Sequence, residues 1–348
     1  MTQDERTTSP SAVGASVALA LAAVAGLAVS VVAPMATLVI GVILFGVLHN
    51  VLELRYLIGR FPGLLGRSFV ERLGLLVTGI FVARLLAPVV GRPAHVAEVA
   101  LGYAVLALGA AHVLQGRRRV AVLVALAPAA VASLLFPEHH VVAVALLHLV
   151  VPVVFLWDWS TRLPERRGLF RAVQVVWSVV VPAAVLAGLA DPWLTRGAGA
   201  VRSLVGDGDW MLASLAPPGA GQGVVALRFL VVFAFLGLMQ YVVWVAFLPR
   251  VAPEVTATFE VRLPWLTGAR VWAAAFIAAA VFAVLFALDF RDTETLYRAV
   301  SSFSAYLEVP VLLALLVGGG RSPRPVPYAA GSAAAAGAPP LPHREPAS

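Results

Sequence analysis

The segment Gly46-Val-Leu-His49-Asn50-Val-Leu-Glu53-Leu-Arg55-Tyr56 puts an imidazole, an amide, a carboxylate, a guanidinium and a phenol within about three helical turns. His49 and Glu53 are four residues apart, so on a helix they share one face, about 6 Å apart along the axis. That pairing can hold one metal ion, pass one proton, or form a plain hydrogen bond. The residues before it are apolar for more than a span's length. An ionisable group set in lipid without a partner costs several kcal/mol, so both side chains must face protein or water. Arg55 and Tyr56 read as the end of the span, with Arg55 snorkelling to the interface.

Four further polar residues are embedded in apolar runs. Glu308, in Tyr306-Leu-Glu308-Val-Pro310, is a carboxylate deep in a hydrophobic stretch. It reads as a ligand, proton carrier or counter-ion. His148 precedes Pro152 by four residues, so proline removes a backbone donor to the His148 carbonyl and leaves that carbonyl free. Gln240 can orient a ligating histidine or a substrate, and His112 lies nearer the end of its run. Tyr241 and Trp244 fit an interfacial aromatic belt, and Gln174, Trp177 and Ser178 fit helix–helix contacts.

Composition says what surrounds these residues. Of 348 residues, 61% are hydrophobic and 12% charged, with a mean hydropathy of +0.92. A soluble domain carries about 25% charged residues, so lipid is the solvent here. The net charge is +7; all 25 basic residues are arginine, and most sit in short connections. That is the signature of one membrane face and does not point to nucleic acid. Cysteine is absent, which leaves histidine and carboxylate as metal ligands. They suit iron, zinc, manganese or copper(II), and histidine-ligated haem is also compatible. No Walker loop, Rossmann fingerprint, zincin motif or serine elbow is present. His95, His139 and His140 start apolar runs on the opposite side, where they could form a surface metal site. No internal repeat of the transporter kind is visible, and nothing sets an oligomeric state.

These residues need an all-α, polytopic transmembrane bundle of about ten spans to position them. The runs fall near 12–33, 35–58, 70–90, 94–115, 119–136, 138–158, 169–190, 223–247, 266–289 and 293–317. Nine spans is the rival count, because only Pro137 and Glu138 separate the fifth run from the sixth. Arginines alternate with the connections: Arg60 and Arg67, Arg117 to Arg119, Arg162 to Arg167, Arg250 and Arg262, and Arg321 and Arg324 fall on one side. This places both termini in the cytoplasm of a cell membrane, with the first run an uncleaved span. Residues 1–11 form a polar lead, 12–317 the bundle and 318–348 a disordered Gly/Ala/Pro-rich tail. The external connection from Asp191 to Gln222 has room for a short interfacial helix. In this layout His49, Glu53, His112, His148, Gln240 and Glu308 all fall in the cytoplasmic half of the membrane.

The segment from Gly46 to Tyr56, with Gly59-Arg60 after it, resembles a stretch found in uncharacterised bacterial polytopic membrane proteins. Its Gly-x-x-His-x-x-x-acid skeleton is also similar to the Brp/Blh family of membrane carotenoid oxygenases. Asn50 stands where that family typically has glycine, and Glu53 where it has aspartate. The resemblance implies a histidine-ligated iron inside a helical bundle, with His49 as one ligand and His112 and His148 as candidates for others. The leading expectation is a membrane metalloprotein that oxidises a lipid-soluble small molecule, with His49, Glu53, His112 and His148 on the metal and Glu308 and Gln240 assisting. A proton-coupled carrier working through Glu53 and Glu308, and a scaffold without catalysis, are the alternatives.

Overall fold

Long apolar runs without water leave the backbone one way to satisfy its N–H and C=O groups within a single segment, the α-helix. The computed structural model describes residues 12–163 and 165–317. The polar lead and the 318–348 tail, with His343, lie outside the described residues. Among the described residues there is no strand. Ten helices are long and apolar enough to cross a membrane, the architecture of a multi-pass membrane protein. They are α1 (Val13–Val32), α2 (Pro34–Arg60), α3 (Arg67–Val90), α4 (Arg92–Val113), α5 (Gly116–Leu135), α6 (Pro137–Arg162), α7 (Arg167–Leu186), α9 (Val224–Val251), α11 (Gly268–Leu288) and α12 (Phe290–Leu316). The shorter helices between them include α8 (Asp209–Leu215) after α7, and α10 (Pro253–Arg262) between α9 and α11.

The nine-span alternative fails at Phe136. Its N–H still bonds the Ala132 carbonyl of α5 at 3.0 Å, but its backbone turns to φ −125°, ψ 62°. Pro137 then opens α6, as its fixed φ and missing N–H allow at a first helical turn. Several helices run past the apolar limits read from sequence. A helix end needs backbone partners, not apolar side chains, so α2 continues to Arg60 and α6 to Arg162.

Ion pairs tie the connections into two ends. Arg60 meets Asp158 at 3.0 Å and Arg162 meets Glu254, which joins α2, α6 and α10 at the arginine-rich end. At the other end Arg228 bonds Asp191 through Nη2 at 2.5 Å and Arg196 bonds Asp209 at 2.6 Å. The connection from Asp191 to Gln222 does contain a short helix, α8. It packs on α9, and Met211, Leu212 and Leu215 are buried in one apolar cluster with Met35 and Val39 of α2 and Leu230 of α9.

Helices α9 and α2 are central, with 67% and 50% of their apolar windows buried, whereas α5 has none buried and faces lipid. Centrality overturns three expectations. Trp244 and Tyr241 pack against other helices and do not form a lipid-facing belt: Trp244 lies 5.2 Å from the Phe155 ring and Tyr241 lies 5.0 Å from the His49 ring. Arg55 does not snorkel; it is buried beneath α10, with Nη2 3.5 Å from Glu260. Gln174, Trp177 and Ser178 bond within α7 rather than between helices: the Trp177 N–H donates to Gln174 at 2.6 Å and the Ser178 hydroxyl to the Gln174 carbonyl at 2.7 Å.

Candidate metal centre

Two helices carry a π-helical turn beside the embedded polar residues. In α2 it spans Val42–Gly46, immediately before His49; in α9 it spans Val242–Phe247, immediately after Gln240. Each wide turn re-phases the helix, and its return to α-geometry leaves carbonyl capacity that the regular ladder would have consumed. Side chains take it up. The His49 Nδ1–H donates to the Phe45 carbonyl at 3.1 Å. The Gly46 carbonyl accepts from the Asn50 amide at 2.9 Å and from the Tyr297 hydroxyl at 3.1 Å. Gly46 has to be small: a Cβ there would stand 3.0 Å from the Tyr297 ring and hydroxyl.

Past the π turn α2 is regular, so the four-residue spacing keeps His49 and Glu53 on one face, and both are buried. That face meets α6, α9 and α12. One ligand atom each from His49, Glu53 and His148 lie within 4.8 Å of one another, the one such group of three potential ligands among the described residues. His148 bridges outward from it. Gln240 donates an amide N–H to His148 Nε2 at 3.0 Å, and His148 Nδ1–H donates to Glu308 Oε2 at 3.1 Å. The Glu53 carboxyl lies near the Glu308 carboxyl, close enough for their charges to interact. Five of the six residues singled out from sequence, on four different helices, therefore converge.

Both imidazoles are arranged alike. Each points Nδ1–H at an oxygen, a carbonyl for His49 and a carboxylate for His148, which leaves Nε2 as the lone-pair nitrogen. Metal-binding histidines are usually held in this way, because the oxygen fixes tautomer and ring orientation and makes the free nitrogen more basic. The carboxylates are the opposite of satisfied. Both Glu53 oxygens and Oε1 of Glu308 are buried with no hydrogen-bond partner. Ionised carboxylates without partners are too costly in this setting, so a proton or a cation must neutralise them. One divalent cation balances two carboxylates and leaves two neutral imidazoles as ligands. Ligands about 2.1 Å from one ion sit roughly 3–4 Å apart, so small side-chain rotations close the set, and the Gln240 amide has to turn off Nε2.

The sixth candidate stays apart. His112 is exposed at the arginine-rich end, stacked on Phe69 at 4.0 Å, with its ring N–H donated to the Leu64 carbonyl at 3.0 Å. It falls in the same half of the bundle but nearer the end of its helix, and its face of α4 turns to the α2–α3 connection. The carbonyl of His148 is not free either. The Val151 N–H reaches it at 3.2 Å in a tightened turn that precedes Pro152. The outer histidines do not form a metal group: His140 bonds Ser133 at 3.0 Å, and His139 packs edge-on against Phe136.

Other residues were missed in the sequence. Asn50 receives the Ser304 hydroxyl at 2.7 Å and donates to Ser301 at 2.8 Å. Tyr297, Ser301, Ser304 and Glu308 are spaced four, three and four apart, a polar stripe of helical period that faces α2. That period was the available signal. Arg84 and Glu98, an ion pair between α3 and α4, were equally legible as charges inside apolar runs.

Comparison of the chain with protein-family models, with curated proteins and with solved structures finds no match. The chemistry therefore has to be argued from the site itself.

Proposed function

We propose that this chain is an integral membrane protein of the cell membrane that binds one divalent metal ion through His49, Glu53 and His148, and uses it to oxidise a lipid-soluble small molecule. The observation that carries the reading is the convergence of His49, His148 and the unpartnered carboxylate of Glu53 inside the bundle. Two histidines and one carboxylate with open positions is the ligand set of non-haem iron(II) oxygenases, so iron is the metal favoured. Bound iron would supply the redox chemistry. The protein's own part is narrower. Glu308 orients His148 and adds the second negative charge, Gln240 holds the His148 lone pair when no metal is bound, and the apolar bundle excludes water.

Metal analysis of the purified full chain, with an optical spectrum of the same sample, tests this. We expect about one equivalent of metal in the wild type and its loss in His49→Ala. Metal-free wild-type protein after expression with iron, zinc and manganese supplied would overturn the reading.

The contact between the Glu53 and Glu308 carboxyls favours a second reading, a proton-coupled carrier in which the pair shares a proton and passes it through His148. It requires proton flux in liposomes that depends on Glu308 and needs no metal.

A further inference from the structure

About one helical turn from Glu53 toward the arginine-rich end, a cavity of about 20 Å³ opens between α2, α9 and α10. Its walls include Leu52, Arg55, Tyr56, Trp244, Val255 and Thr256. Three of these residues carry a buried polar atom with no partner: Nε of Arg55, the hydroxyl of Tyr56 and Nε1 of Trp244. All three are more than nine-tenths buried, at 8%, 5% and 1% exposure. Unmade hydrogen bonds at such depth are rare, and each costs about 1–3 kcal/mol, more where a charge is involved. Three on the wall of one cavity call for a common partner.

The donor chemistry restricts that partner. Guanidinium and indole can only donate, while the phenol can donate or accept. A water would bring two protons of its own to a wall dominated by donors. An oxygen that only accepts and carries negative charge matches all three. Arg55 keeps its Nε for it, because its ion pair with Glu260 is made through Nη2 and at 3.5 Å is longer than the roughly 2.7–2.9 Å of a close charge-assisted bond. The other acids at this end are already taken, Asp158 by Arg60 and Glu254 by Arg162. The cavity holds one oxygen-sized group, and apart from Thr256 the rest of its wall is formed by apolar residues. The ligand's remainder must therefore be a chain or ring that runs out between the helices.

We infer that Arg55, Tyr56 and Trp244 form a site for one oxyanion, the carboxylate or phosphate head of an amphiphile. The site stands independently of the metal reading. Its depth, at the end of α2 where the arginines begin, is that of a lipid headgroup. Arg55 supplies the charge, Trp244 and Tyr56 fix the oxygen, and the aromatic packing of Tyr56 and Trp244 against Phe155 holds both donors in place.

The test uses the full chain in neutral detergent, with lipid retention read by native mass spectrometry. Phosphatidate should be retained at least ten times better than diacylglycerol with the same chains. Arg55→Gln should lower phosphatidate affinity by about 10-fold or more, the scale of a lost hydrogen bond to a charge. Trp244→Phe and Tyr56→Phe each delete one donor and keep the ring, and each should lower it by about 3- to 10-fold. They remain informative if the arginine variant does not fold. Competition by inorganic phosphate would identify the head alone as the ligand; binding of phosphatidate without such competition would identify a lipid. Equal retention of phosphatidate and diacylglycerol, or unchanged affinity in both ring-preserving variants, would overturn the site. Metal content of the same samples is a separate readout, so failure here and failure of the metal centre are distinguishable.

Discussion

Between α3 and α4 the Glu98 carboxylate receives the Arg84 guanidinium through Nε at 2.9 Å and Nη2 at 2.8 Å, while Arg84 Nη1 donates to the Arg298 carbonyl of α12 at 2.7 Å. Between α2, α6 and α12, Glu53 and Glu308 meet each other and two imidazoles, and three of their four oxygens have no donor. The first assembly matches its charge internally and holds three helices together. The second has acid without a base. Matched burial explains itself as structure. Unmatched burial needs something added, a cation or a proton, and that requirement separates a binding centre from a strut.

The comparison breaks most sharply if the unmatched cluster binds nothing. His49→Ala should reduce metal from about one equivalent to none and leave the fold intact by circular dichroism. Retained metal would remove His49 from the centre. The matched pair should behave in the reverse way. Arg84→Met leaves Glu98 buried without its cation and should destabilise the bundle by about 3 kcal/mol, seen as a lower Tm in detergent, with metal content unchanged. Replacing both partners, with Arg84→Met and Glu98→Leu together, should recover most of that loss; a double variant as unstable as the single one would mean that the pair does more than balance charge.

Glu308→Gln sharpens the contrast further. It keeps the shape and one acceptor for the His148 N–H but removes a charge, so metal affinity should fall about 10- to 100-fold. An unchanged affinity, measured by chelator competition, would free Glu308 from the centre and favour the carrier. Asn50→Leu cuts the bonds to Ser301 and Ser304 beside the cluster. Interhelical hydrogen bonds in membranes average about 0.6 kcal/mol, so the loss should be roughly 1 kcal/mol in thermal unfolding, without loss of metal.

The smallest effect belongs to the exposed pair at the other end. The hydrogen bond from Arg228 holds the Asp191 carboxyl below its ordinary value. A lowered folded-state value contributes stability above the unfolded value, near 4, and loses it as pH falls through the folded one. Asp191→Asn should therefore lower Tm slightly at pH 7 and match the wild type at strongly acid pH. A difference that persists in acid would show that the aspartate acts by something other than its charge.

Much of this was legible without coordinates. Apolar length determined helices, and their number followed once Pro137 was read as a helix start rather than a break. The alternation of arginine ordered the connections, and the ion pairs at each end agree with that order. Depth selected His49, Glu53, His148, Gln240 and Glu308, because polar residues in lipid are too costly to be scattered at random. Depth is a coordinate along a helix, and sequence reports it well through rise per residue. The direction around the helix axis is different. It depends on which neighbours a face packs against, and π turns in α2 and α9 shift that direction by a residue's worth of rotation. So His112, in the same half of the bundle but nearer its end, turned to the wrong side; Arg55 and Trp244, expected at an interface by type, are buried among helices. Residue type and spacing decided what could be inside this membrane bundle. Only tertiary packing decided which carboxylates would meet without a cation, and which donors would face one small cavity, because both depend on helices far apart in the chain.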